Sequence, residues 1–251
     1  MEIVLLTALG VGGATVIGAV LGFLFKAQSH KASDAILSFA SGVMLCAATV
    51  GLILPAFPTT KTNVWAVIVP VIGIFMGAAV LYLIDRLVPH LHKLSDTEAG
   101  AQPSGTSKVL LFVIAIAIHN FPEGIAAGVS FGSGNTAQAL AVAGGIALQN
   151  IPEGMVIITP MLATGMSKKR TLVIALATGL VEVLGTLVGY FAVSLSVTVL
   201  PFALAFAGGT MLYVISDEMI PETHSHGHER LATYALLVGY VVMLVFDFFV
   251  G

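Results

Sequence analysis

The chain has 251 residues, of which 57% are hydrophobic and only 9% charged, with a formal net charge of −3 and a mean hydropathy of +1.02. A soluble domain carries about 25% charged residues, and this much apolar surface exceeds what one core of this length can hide. Composition therefore excludes a soluble globular domain and points to an all-α polytopic membrane protein whose solvent is the lipid bilayer. With no basic cluster, it also excludes nucleic acid as a partner.

Eight stretches are each long enough to cross a hydrocarbon core of about 30 Å: residues 3–25, 34–54, 64–86, 109–131, 137–159, 171–193, 201–220 and 231–250. They are read as one transmembrane domain over residues 1–251. The first lacks a basic leader and a small-residue cleavage site, so it is expected to be a retained helix rather than a signal peptide. The second opens at Asp34, read as a capping or interfacial residue, and carries Cys46, the single cysteine, expected to pack as a small apolar side chain. The third ends at Asp85 and Arg86. Residues 87–108, with Ser, Gly, Gln and Pro, read as a flexible cytoplasmic linker that holds His90 and His92 and divides three helices from five.

The sixth span contains one acid, Glu182, a functional candidate because a carboxylate at membrane depth is costly. The seventh ends in Asp217, Glu218, Pro221, Glu222, His224, His226, His228 and Glu229. Alternating histidines on a flexible segment can bind a transition metal weakly, which suggests an exit relay or a cytosolic sensor. Asp247 falls near the outer end of the last span, where interfacial placement is expected.

The cationic residues set the orientation. Lys26, Lys31, Arg86, Lys93, Lys108, Lys168, Lys169, Arg170 and Arg230 fall in or beside odd-numbered loops, and only Lys61 in an even one. By the positive-inside rule the odd loops are cytoplasmic and both termini extracytoplasmic.

The fourth and fifth spans carry the sharpest signal. His119-Asn120-Phe121-Pro122-Glu123-Gly124 and Gln149-Asn150-Ile151-Pro152-Glu153-Gly154 repeat one polar pattern thirty residues apart. His119 and Glu123, like Gln149 and Glu153, are four apart and share a helical face. Each proline lacks an amide donor and crowds the carbonyl four residues back, so a loosened, bent turn is expected. No Lys or Arg lies within either stretch to pair with Glu123 or Glu153, and the missing positive charge is most simply a passing metal cation. One even-numbered loop joins these spans, so they run antiparallel and their motifs meet about a pseudo-twofold axis near the midplane.

The paired signature resembles that of the ZIP family of divalent-metal transporters, and within it the bacterial ZupT/GufA-like branch. The resemblance implies a 3+2+3 arrangement in which the first and last three helices form an inverted repeat, an inner-membrane homodimer, and metal movement into the cytoplasm. It implies a binuclear site: Met44, His119, Glu123, Gln149 and Glu153 hold one ion, and Asn120, Asn150 and Glu182 serve its neighbour. Glu123 and Glu153 bridge the two, and Asp217 and Glu218 match an acidic pair at the inner mouth. Zinc is the first expected cargo, with iron, manganese, cobalt and cadmium suited to the same mixed donors. Gln149 stands where the commoner family pattern has histidine, which weakens strict zinc selectivity. Metal is expected as cargo, with no cofactor.

Two other classes make contrary demands. An intramembrane metalloprotease needs two His and a Glu base on one turn, as in HExxH, and that motif does not occur. A carrier of organic solutes calls for aromatic or cationic contacts at midplane, which the motif lacks. A metal-selective channel would share every ligand and differ only in kinetics. The chain is expected not to be an enzyme.

Overall fold

A computed structural model of the chain describes residues 1–24, 29–58, 63–87, 105–163 and 165–251, with the side chains of 85, 87, 105–117, 163 and 197 outside that description. His90, His92, Lys26, Lys61 and Lys93 lie outside the described residues, as does most of the expected linker.

Among the described residues the secondary structure is helical, without a strand. The long helices are α1 (Glu2–Leu24), α2 (His30–Ala56), α3 (Trp65–Leu87), α4 (Gly105–Ser130), α5 (Thr136–Leu162), α6 (Lys168–Leu195), α7 (Leu200–Thr223) and α8 (Glu229–Val250). Among the described residues seven of them, all but α4, are long and apolar enough to cross a membrane. The chain is thus a multi-pass membrane protein. Phe75, Phe248 and Phe249 stand exposed on α3 and α8, as lipid-facing side chains do.

Local chemistry sets several helix ends. Ser29 caps α2 by accepting from the Ala32 amide; Asp34, the expected cap, is instead buried one turn inside. Ser167 accepts from the Arg170 amide, which starts α6 at Lys168 and puts the basic triplet in its first turn. Gly105–Lys108, expected in the linker, already belong to α4.

Prolines act differently from expectation. The helical backbone runs unbroken through Pro122 and Pro152. Instead, α2 widens into a π-helix over Ala47–Ile53 and α7 over Ile215–Met219. Pro55 and Pro221 follow these turns and supply no amide to the carbonyls of Gly51 and Asp217, so the ladder ahead of each slips to a wider register.

Packing follows the glycines. Helix α1 packs on α5 and α6, α4 on α6, α2 on α8, and α3 on α7, while α2 also meets α5 and α4 meets α7. A Cβ on Gly12 would strike the Gly179 carbonyl, and one on Gly179 the Gly12 carbonyl. Gly18 and Gly22 face the carbonyls of Ile151 and Met155, while Gly185 and Gly189 face those of Phe121 and Ile125. The small-xxx-small pairs, Gly73 and Gly77 against Phe202 and Phe206 included, thus serve contacts within the chain, where close backbone approach replaces a hydrophobic drive.

Candidate metal-binding site

The motif glycines seat the site. Gly124 presses against the Glu182 carbonyl and Gly154 against the Thr15 carbonyl. Any larger residue would hold α4 off α6 and α5 off α1. This close approach brings the polar residues of α1, α4, α5 and α6 to one level, where Glu123, Gln149, Asn150 and Glu182 are at most 1% exposed and Asn120 5%.

Their side chains hold one another. The Gln149 amide donates to Glu123 Oε1 at 2.8 Å. Asn150 Nδ2 donates to Glu182 Oε1 and to the Val11 carbonyl, and Thr15 donates its hydroxyl to Glu182 Oε2 at 2.9 Å. Glu123 is close enough to Glu153 and Glu182 for their charges to repel. Three carboxylates therefore share a low-dielectric site, and none of their described partners is a lysine or arginine. Four buried oxygens of the cluster have no donor among the described residues, Glu123 Oε2, Glu153 Oε1, Gln149 Oε1 and Asn150 Oδ1, while the Glu123 and Glu182 carboxyls lie within hydrogen-bonding reach of each other. Buried acceptors left unpaired cost about 1–3 kcal/mol each, more when charged. All four are hard donors of the kind a divalent cation accepts.

A cavity of about 250 Å³ opens from this cluster, lined by His119, Asn120, Glu123, Glu153, Glu218 and Glu222 among others. His119 Nε2 lies 2.7 Å from Glu218 Oε2, so a contact between α4 and α7 crosses the cavity. Beyond it the lining continues over Val156, Ile157 and Pro160, toward the end of the molecule that carries Lys168, Lys169 and Arg170.

Not every expected ligand joins the cluster. Met44 is 1% exposed in the apolar core that also holds Val11 and Ile146, and it does not line the cavity. Asp217 accepts from the Tyr213 hydroxyl at 3.2 Å on the exposed side of α7. Among the described residues, no three His, Cys, Asp or Glu side chains stand in a ready metal shell. The site's imidazole and amides are turned onto its own carboxylates.

The histidines after α7 form a separate structure. His226 Nδ1 lies 2.9 Å from Asp34 Oδ1 and His228 Nδ1 3.3 Å from Asp34 Oδ2, with the His30 ring stacked on His226. His224 turns back to the Ile220 carbonyl and Thr233. Expected to be a flexible segment, it is held to the start of α2 by a carboxylate 3% exposed.

Two polar residues of the cavity, Glu222 and Thr15, fall outside the expected ligand set. Glu222 lies four residues after Glu218 and shares its helical face across Pro221. Thr15 has a fainter signal: Val16-Ile17-Gly18-Ala19-Val20-Leu21-Gly22 in α1 parallels Val183-Leu184-Gly185-Thr186-Leu187-Val188-Gly189 in α6, which puts Thr15 at the position of Glu182.

The chain is similar to known proteins along most of its length. The profile of the ZIP Zinc transporter family matches residues 89–247. Zinc transporter GufA of Myxococcus xanthus is 41% identical over 98% of both chains. Zinc transporter ZIPB of Bordetella bronchiseptica is 37% identical over 95% of this chain and 78% of its own. Zinc transporter ZupT of Chlorobaculum parvum is 34% identical over 93% and 92%. These relatives are transporters rather than enzymes, and this chain belongs to the ZIP zinc transporter family.

Proposed function

We propose that the chain is an eight-span inner-membrane transporter that carries divalent transition-metal ions, zinc first, into the cytoplasm through the buried site between α1, α4, α5 and α6. The observation that carries this reading is the set of four oxygens without a described donor, on Glu123, Glu153, Gln149 and Asn150, beside three carboxylates. Such a site is costly with no cation and well suited to one.

In this reading Glu123 and Glu153 bridge two ions. His119, Gln149 and Met44 complete one shell, and Asn120, Asn150 and Glu182 the other. As an ion arrives, the Gln149 and Asn150 amides rotate from donating to carboxylates to offering oxygen to the metal. His119 then exchanges between the site and Glu218, and Glu222 offers the next oxygen toward the cytoplasmic end. Iron, manganese, cobalt and cadmium fit the same donors.

An inverted repeat supports transport over a fixed structural role. The α1 contacts map onto the α6 contacts 167 residues on. Phe39-Ala40-Ser41-Gly42-Val43-Met44-Leu45 in α2 likewise parallels Phe206-Ala207-Gly208-Gly209-Thr210-Met211-Leu212 in α7. The α2–α8 and α3–α7 contacts correspond in the same way, with the central pair α4 and α5 exchanging places. Repeats of this kind place a substrate at their interface near the midplane. The charge distribution favours both termini outside with the basic loops inside, and an inside-negative potential favours cation entry. The exposed faces of α3 and α8 leave room for a homodimer contact.

Uptake by purified protein in proteoliposomes, across the five metals and with internal pH recorded, tests the reading. Saturable zinc entry is the expected result. Failure to move any of the five ions would overturn it.

A further inference from the structure

We propose that Thr15 is a positioning and charge-setting residue of the metal site: it stands in for a second buried acid and keeps the site one negative charge short of trapping its cargo. The inference rests on the proposed transport site.

Gly12 and Gly179 contact each other reciprocally, as two matched positions do across a twofold axis, and 167 residues also separate Thr15 from Glu182. In that register Thr15 and Glu182 are the same position. Each turns its backbone carbonyl onto a motif glycine, Thr15 onto Gly154 and Glu182 onto Gly124. Both side chains therefore enter the site from equivalent directions, one as a hydroxyl and the other as a carboxylate. The contact glycines around them match on both sides, Gly12, Gly18 and Gly22 with Gly179, Gly185 and Gly189.

Two consequences follow. The Thr15 hydroxyl donates to Glu182 Oε2 while Asn150 donates to Oε1, so the two Glu182 oxygens are fixed separately, one from α1 and one from α5. A carboxylate held this way presents its remaining lone pairs at a set angle, as ligand geometry requires. The second consequence is charge. With Glu123, Glu153 and Glu182, two divalent ions leave one positive charge uncompensated, which favours release of one of them. A glutamate at position 15 would make the site neutral when full, and at low dielectric a neutral cluster is held far longer. Thr15 is 3% exposed yet lines the same cavity as Glu123 and Glu153.

The experiment compares Thr15→Val, Thr15→Ser and Thr15→Glu with the unaltered protein and Glu123→Gln, in proteoliposome uptake and in zinc binding to purified protein. Thr15→Val keeps shape but removes the donor: KM for zinc should rise about tenfold, the scale of a lost hydrogen bond to a charged group, with a smaller change in maximal rate. Thr15→Ser should restore the KM. Thr15→Glu should do the reverse, tightening zinc binding while maximal uptake falls at least about tenfold. Monodisperse elution separates misfolding from these effects, and if Thr15→Glu misfolds, the Val and Ser pair still decides the positioning role while Thr15→Asp carries the charge test with the same expected outcome. Unchanged KM in Thr15→Val, or a loss that Thr15→Ser fails to restore, overturns the positioning role; unchanged binding and rate in Thr15→Glu overturns the charge argument. If Glu123→Gln transports normally, it is the underlying site that fails. If Glu123→Gln is dead while Thr15→Val behaves as the unaltered protein, only this inference fails.

Discussion

Adding one methyl group at Gly124 tests whether helix approach, rather than ligand identity alone, builds the site. A Cβ there would overlap the Glu182 carbonyl oxygen and lie 3.0 Å from the Glu182 carbonyl carbon and Cα. The obstacle is backbone, so no side chain can turn aside and α4 must move off α6 by about 1 Å, on the scale of ordinary close packing. Overpacking of this kind costs about 1–3 kcal/mol. The functional loss should be larger than the stability loss, because metal–ligand distances tolerate only about 0.2 Å. A displacement near 1 Å in a positioned site costs on the order of a hundredfold. Gly13→Ala is the control: nothing lies within 4 Å of its Cβ, and the change should stabilise α1 by about 0.5–1 kcal/mol. Zinc uptake and thermal unfolding in detergent should therefore part company, with Gly124→Ala inserted and folded yet nearly inactive and Gly13→Ala normal in both. Equal uptake by the two variants would refute the claim that close contact between α4 and α6 sets the ligand geometry.

Gln149→His should raise the ratio of zinc to manganese uptake in competition, because a borderline nitrogen replaces a hard oxygen, with turnover falling as release slows. An unchanged ratio would mean that Gln149 does not touch the metal. The triple change of His224, His226 and His228 to Ala should preserve measurable zinc transport, since none of the three lines the cavity. It should lower stability by about 1–3 kcal/mol, because Asp34 is left buried without its partners; loss of uptake as complete as that of a Glu123 variant would place the loop on the obligatory path.

Much of this was legible in the sequence because the bilayer simplifies the problem. Apolar stretches announce membrane helices, and two acids in apolar helices stand out against their surroundings. Pairings between distant segments were harder to read. Asp34 meets His226 across 192 positions, and no local pattern distinguishes a buried partner of histidine from a helix cap. The effect of the prolines was misplaced as well. The helical backbone runs through Pro122 and Pro152, whereas Pro55 and Pro221 each follow a turn that has widened. Thr15 went unnoticed because a lone hydroxyl in an apolar helix is usually bonded to its own backbone, as Thr186 is to the Glu182 carbonyl. Only its register against Glu182 marks it. Met44 shows the opposite risk: a resemblance assigns it to the metal, while its described surroundings are core.

The central claim is that a divalent cation supplies the charge missing from the Glu123–Glu153–Glu182 cluster. Its most direct test is zinc uptake into proteoliposomes by Glu123→Gln and Glu153→Gln, each a near-isosteric change that removes one charge from the proposed bridge. The account predicts that both variants insert and elute as the unaltered protein does, with uptake reduced to near background. Robust zinc uptake by either correctly folded variant would contradict it.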